Sequence, residues 1–185
     1  MRKILSFWFT FAVLLCAAVL PAASQEIVHA LTGTVSGINP MAKSITFLQD
    51  NGDPEIFAIG ASVKTKIPLD KRFSAEAASA EAVDKQGAYV ILFYAGGNTR
   101  AAVALKSLGK GPFTAVTGTV KALDKRSVTV EEGSGDTATF RLDPQTVGES
   151  TFGVVEAMKL PLQKGAKVRI VASQTDGTAL FVRVM

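Results

Sequence analysis

The sequence predicts an all-β protein with one short helix per unit: two tandem five-stranded units behind an export signal. Three observations carry this reading: a tripartite N-terminus, an internal repeat, and a period-two alternation of apolar and polar residues that a helix-forming stretch interrupts once in each copy.

Met1-Arg2-Lys3 opens the chain, an apolar stretch from Ile4 to Leu20 follows with only Ser6 and Thr10 inside it, and Pro21-Ala22-Ala23-Ser24-Gln25 closes it. A basic start, an apolar middle and a small-residue exit form a secretory signal. The run also approaches the ~20 residues that cross a bilayer, so an uncleaved anchor is the competing reading. Cleavage after Ser24 places Ala22 and Ser24 where the peptidase accepts small side chains, which makes 1–24 the signal peptide and Gln25 the new N-terminus. Cys16 follows Leu15, which does not suit lipid attachment. The expected address is periplasmic or secreted, with no membrane span after signal cleavage.

Processing alters the composition. The only cysteine, Cys16, and the only tryptophan, Trp8, both leave with the signal, so the mature chain has neither a disulfide nor a thiolate. Twenty Lys and Arg face sixteen Asp and Glu; without Arg2 and Lys3 the balance is eighteen to sixteen. For a chain this close to neutral, the sequence pI of about 9.3 is weak evidence for a nucleic-acid or anionic-lipid partner.

The repeat sets the organisation. Leu31-Thr32-Gly33-Thr34-Val35-Ser36-Gly37-Ile38 matches Val116-Thr117-Gly118-Thr119-Val120-Lys121-Ala122-Leu123, and Lys43 to Phe47 matches Arg126 to Val130. Later, Gln86-Gly87-Ala88-Tyr89-Val90 answers Lys164-Gly165-Ala166-Lys167-Val168, and Ala102 to Leu105 answers Ala179 to Val182. The resulting boundaries are 25–108 for the first unit, 109–113 for a Gly/Pro linker and 114–185 for the second.

Alternation assigns the faces. In the second copy Val116, Gly118, Val120, Val128 and Val130 share a dry face, while Thr117, Thr119, Lys121, Ser127, Thr129 and Glu131 share a wet one. In the first copy Ile45 and Phe47 are dry, whereas Thr32, Thr34, Ser36, Ser44 and Thr46 are wet. Asn51-Gly52 and Asp176-Gly177 are hairpin dipeptides, and Gly96-Gly97-Asn98 is a looser one. The Ala-rich stretch Phe73 to Ala82, with Ser74 as cap, predicts a helix. Phe152, Val155 and Lys159 recur at helical spacing before Pro161 in the second copy. Each unit then reads strand, strand, strand, helix, strand, strand, the order of an OB-like β-barrel, with an SH3-like barrel as the alternative.

Gly33, Val35, Thr65, Gly87, Val90, Ala102 and Leu105 in one copy, with Gly118, Val120, Thr146, Gly165, Val168, Ala179 and Val182 in the other, resemble the pattern of a bacterial exported domain of unknown function often found in tandem. That resemblance implies a small β-barrel and an extracytoplasmic address, and brings no catalytic residues.

No reactive set stands out, so the site expectations are no catalytic, cofactor-binding or metal residues, no cofactor, and an unknown ligand-binding set. His29 is the only histidine, and no Gly-x-Ser-x-Gly elbow accompanies it. Asp50-Asn51-Gly52-Asp53 and Glu131 to Asp136 are acidic turns without the ligand spacing of a calcium loop. Gly109-Lys110-Gly111 lacks the flanks of a phosphate loop. Lys121, Lys125 and Arg126 gather at a turn that OB-folds use for ligands, yet the wet face carries no aromatic platform for stacked bases, which argues against nucleic acid. The function expected is a non-catalytic extracytoplasmic module that binds a protein, glycan or small ligand of the cell envelope. Its alternatives are an extracytoplasmic hydrolase using carboxylates and a structural spacer.

Overall fold

The computed structural model describes residues 27–59, 76–77, 86–96, 100–109 and 111–185. The signal peptide, Thr65, Lys110 and most of the Ala-rich stretch lie outside the described residues. Among the described residues no helix is long and apolar enough to cross a membrane.

The first sheet contains β1 (Val28–Asn39), β2 (Ser44–Gln49), β3 (Pro54–Ile59), β4 (Glu76–Ala77), β5 (Tyr89–Ala95) and β6 (Ala101–Ser107), in the order β3-β2-β1-β5-β6-β4. The second contains β7 (Phe113–Asp124), β8 (Ser127–Glu132), β9 (Thr137–Arg141), β10 (Val147–Ser150), β11 (Gly153–Glu156), β12 (Lys167–Ser173) and β13 (Ala179–Val184), in the order β11-β10-β13-β12-β7-β8-β9. Both open alike. β1 pairs with β2 and β7 with β8 as antiparallel hairpins, and the register slips at matching places, Val35/Gly37 and Val120/Ala122. Such bulges bend a strand and sharpen its twist.

Two five-stranded OB-like barrels are not what these sheets form. Among the described residues the first has six strands and the second seven, and neither is a closed barrel. The reason lies at the last strand of each. β6 pairs with β3 only at Ala101 and Ala102, and farther along it pairs with β4 at Leu105 and Ala104. In the second sheet β10 runs parallel to β13 from Val147 to Glu149, while β9 reaches β13's approach only through the single bridge Arg141 to Thr178. Edge hydrogen bonds that would seal a five-stranded cylinder are shared with additional strands.

The second helix expectation fails for a related reason. Residues 150–156 turn and return as the β10–β11 hairpin, and only the 3-10 turn Ala157–Lys159 is helical. Gly153 stands at φ 97°, a left-handed conformation that ends a helix, and an added Cβ there would lie 2.7 Å from the Val28 carbonyl oxygen. Phe152, read as a helix-face anchor, is 83% exposed, whereas Val154 is buried. In the first half, Glu76–Ala77 is strand rather than helix.

Among the described residues, three apolar clusters hold the sheets together. Leu31, Val35, Ile45, Phe47, Phe57, Val90, Leu92 and Leu105 fill the first sheet's own core, and Val120, Val128, Val130, Phe140, Val168, Ile170 and Val182 fill the second's. A third lies between the sheets: Val28, Ala30, Ile91, Phe93 and Val103 meet Val147, Val154, Val171 and Phe181. Strand β5, Tyr-Val-Ile-Leu-Phe-Tyr-Ala, is apolar at every position because one face serves each cluster. Thr146 secures the start of β10: its hydroxyl donates to the Ala179 carbonyl at 2.7 Å and accepts the Asp143 N–H at 2.9 Å.

Candidate functional site

The junction of the two sheets holds two buried polar side chains, Thr32 and Glu149. His29 on β1 places Nδ1 2.8 Å from Oε1 of Glu149 on β10, and the other Glu149 oxygen accepts the Ala30 N–H at 3.1 Å. Burial pushes the Glu149 carboxyl above the ordinary carboxylate range, and the hydrogen bond from His29 opposes that rise. Asp50, in the turn after β2, accepts the Thr32 hydroxyl at 2.5 Å, the Tyr89 phenol at 2.9 Å and the Arg169 guanidinium at 2.9 Å. Desolvation, followed by the Asp50 charge, raises the Tyr89 phenol well above its usual range. These carboxylates tie one sheet to the other, and Asp50 also lines a cleft of about 190 Å³ at the junction.

The other residues singled out by the sequence are dispersed. Asn51 and Asp53 hydrogen-bond to each other across their turn at 2.7 Å, and Ser134 does the same with Asp136 at 2.9 Å. Lys121 pairs with Glu131 at 2.6 Å. Among the described residues, no group of three or more His, Cys, Asp or Glu side chains is placed to hold a metal ion.

Lys125 marks a more open place. The end of β7 and its turn (Leu123, Asp124, Lys125), Leu142 after β9, the 3-10 turn (Ala157, Met158) and the following Leu160 and Leu162 enclose a recess of about 410 Å³. Its floor is the second sheet's core, since Leu142, Ala157, Leu160 and Leu162 are all buried in that cluster. Its lips are exposed: Leu123 is 47% and Met158 37% accessible. Backbone bonds fix the walls, with Leu142 N–H donating to the Arg126 carbonyl at 2.8 Å and Leu160 N–H to the Ala157 carbonyl at 3.1 Å. Asp124 is held at the rim by the Lys125 N–H at 2.7 Å.

Sequence reading found the basic turn but missed the aliphatic wall. Leu160 and Leu162 flank Pro161 in a stretch without strand or helix periodicity, and that pairing of apolar residues with a helix stop was the available signal.

A small-ligand pocket is mainly apolar with a few placed polar groups, and ~300–1,000 Å³ is its usual size. The recess has both properties, so fold and site together describe a two-sheet β protein with an apolar-floored recess built on turns. No family model and no curated protein matches the chain. The resemblance to an exported tandem domain is therefore not supported, and the barrel it implied is absent; the glycines and aliphatics behind it are residues that these bulged strands and their cores require.

Proposed function

We propose that the protein is a non-catalytic extracytoplasmic binding module that receives an apolar group of an envelope ligand or partner in the recess beside Lys125. The observation that carries this reading is the union of a buried aliphatic floor with exposed Leu123 and Met158 at its mouth. Leaving such side chains in water costs about 25 cal/mol per Å² of apolar area that a ligand would cover. Engagement of Asp50 and Glu149 in joining the sheets supports a binding role over hydrolysis by paired carboxylates. The N-terminal export pattern supports the extracytoplasmic address.

Titration of the mature chain with the apolar dye 8-anilinonaphthalene-1-sulfonate tests the recess. Saturable one-to-one fluorescence is expected for the folded protein, and it should fall at least tenfold in affinity in Leu123→Glu/Met158→Glu, whose circular dichroism stays unchanged because both positions are exposed. Equal binding by the double variant would remove the recess as the site.

A further inference from the structure

The pairing of β10, β13, β12 and β7 lines up four side chains on the face turned to the first sheet. Glu149 is opposite Arg183, Arg183 opposite Arg169, and Arg169 opposite Thr117. The face is fixed by Val171 and Phe181, which alternate with Arg169 and Arg183 and are buried against the first sheet.

Two arginines directly opposite each other on neighbouring strands repel, and like-charge pairs of this kind destabilise a sheet. Here a carboxylate pairs directly with one of the two, Arg169, and none with the other. Asp50 receives Arg169, Thr32 and Tyr89, while Glu149 receives His29 and the Ala30 N–H. Arg183 acts on Glu149 through space only and forms no hydrogen bond or salt bridge among the described residues. Both arginines line a cleft of about 190 Å³ where the shared apolar core ends, with Asp50, Thr117, Leu31 and Phe181 among the other residues of its wall.

We propose that this cleft is a binding site for a small carboxylate ligand, held chiefly by Arg183 with Arg169 beside it. A guanidinium presents paired N–H donors that match a carboxylate edge to edge. Asp50 cancels one of the two guanidinium charges in the cleft, and Glu149 is engaged by His29 and the Ala30 N–H, so one added negative charge balances the arginine pair where a dianion would overshoot. The Gln49 and Asn51 amides on the cleft wall already bond to Glu55 and Asp53, while the Thr117 hydroxyl, which accepts from Arg169 at 3.4 Å, keeps its own proton for the rest of such a ligand, and Leu31 with Phe181 offers an apolar floor. The site is separate from the recess beside Lys125 and stands without it.

Thermal melts at pH 7 and constant ionic strength, with sodium chloride, sodium acetate or sodium phosphate as the salt, test the assignment alongside nuclear magnetic resonance of the arginine side chains. Acetate is expected to raise the melting midpoint by several degrees over chloride and to shift the Arg183 Nε–H resonance saturably. Arg183→Gln should melt no lower than the wild type in chloride, because it relieves the repulsion, and should lose the acetate response. An acetate response equal to that of chloride overturns the proposal, as does a response retained in Arg183→Gln. A larger rise in phosphate overturns the carboxylate assignment. A lower midpoint for Arg183→Gln in chloride would make Arg183 a structural partner of Glu149 instead.

Discussion

His29 and Glu149 meet across the two sheets, Nδ1 to Oε1 at 2.8 Å, with the Glu149 side chain only 3% exposed. Burial raises the Glu149 carboxyl above its ordinary value of 4.5, against the opposing pull of His29, the Ala30 N–H and Arg183. A group whose folded pKa is raised binds its proton more tightly in the folded state. Its contribution to stability is full below about pH 4.5 and is lost as pH climbs through the folded value. Glu149→Gln cannot ionise, so its melting midpoint should gain on the wild type as pH rises from 4 to 7. His29→Gln should steepen the wild-type loss. A gap between Glu149→Gln and wild type that stays constant over this range would show that Glu149 is not the titrating group.

Because Phe181 is 1% exposed and sits in the cluster between the sheets, it ties their unfolding together. Truncating a buried phenylalanine to alanine costs about 3–5 kcal/mol. Both tyrosines, Tyr89 and Tyr94, belong to the first sheet. Tyrosine emission therefore reports on that sheet although Phe181 lies in the other. In urea, Phe181→Ala should lower the tyrosine midpoint and the circular dichroism midpoint by the same amount. A tyrosine transition left at its wild-type position would mean that the sheets unfold independently.

Two glycines test the matched openings of the sheets. A Cβ on Gly33 would overlap the Leu48 carbonyl oxygen and approach Phe47 Cε1 to 2.9 Å; on Gly118 it would overlap the Glu131 carbonyl oxygen and approach Val130 Cγ1 to 2.6 Å. Backbone cannot yield as a side chain end can, so Gly33→Ala and Gly118→Ala should each cost about 1–3 kcal/mol. Thr34→Val and Thr119→Val, at half-buried positions pointing away, should move the melting midpoint far less. Silent glycine variants would show that the strands separate freely there.

Those glycines also show what the sequence made legible. The Leu-Thr-Gly-Thr-Val and Val-Thr-Gly-Thr-Val repeats place the same close approach in both sheets, and the dry faces through Ile45, Phe47, Val128 and Val130 are fully buried. Alternation within a strand depends only on neighbours along the chain, so it can be read locally. It cannot say what covers the other face. Thr32 sits in the wet series yet is 5% exposed, because the second sheet packs over it and Asp50 accepts its hydroxyl. No local pattern sets Glu149 apart; only the parallel pairing of β10 with β13, which no local pattern encodes, carries it beneath β1. The Phe152–Lys159 spacing failed because three residues at i, i+3 and i+7 are too few to tell a helix from a short strand, Gly153–Glu156, followed by the 3-10 turn Ala157–Lys159.

Asp50 gives the last prediction, since three donors from two sheets converge on it. Removing its charge in Asp50→Asn weakens hydrogen bonds from Thr32, Tyr89 and Arg169 together, and bonds to a charged group are worth about 1.5–3 kcal/mol each when whole. Partial exposure of Arg169, 25% at its side chain, keeps the loss toward the lower end for that partner. Tyr89 supplies an optical reporter. Its phenol is held above the ordinary value of 10.0 first by burial and next by the Asp50 charge, while Tyr94 is raised mainly by burial and has no bond to Asp50. In a phenolate absorbance titration of folded Asp50→Asn, one tyrosine should ionise at lower pH than in the wild type and the other should stay in place. The shift should be partial, because the burial that dominates it remains. Two unmoved tyrosines, or two that move together, would show that Asp50 does not control Tyr89 and that the junction is held by its apolar contacts alone.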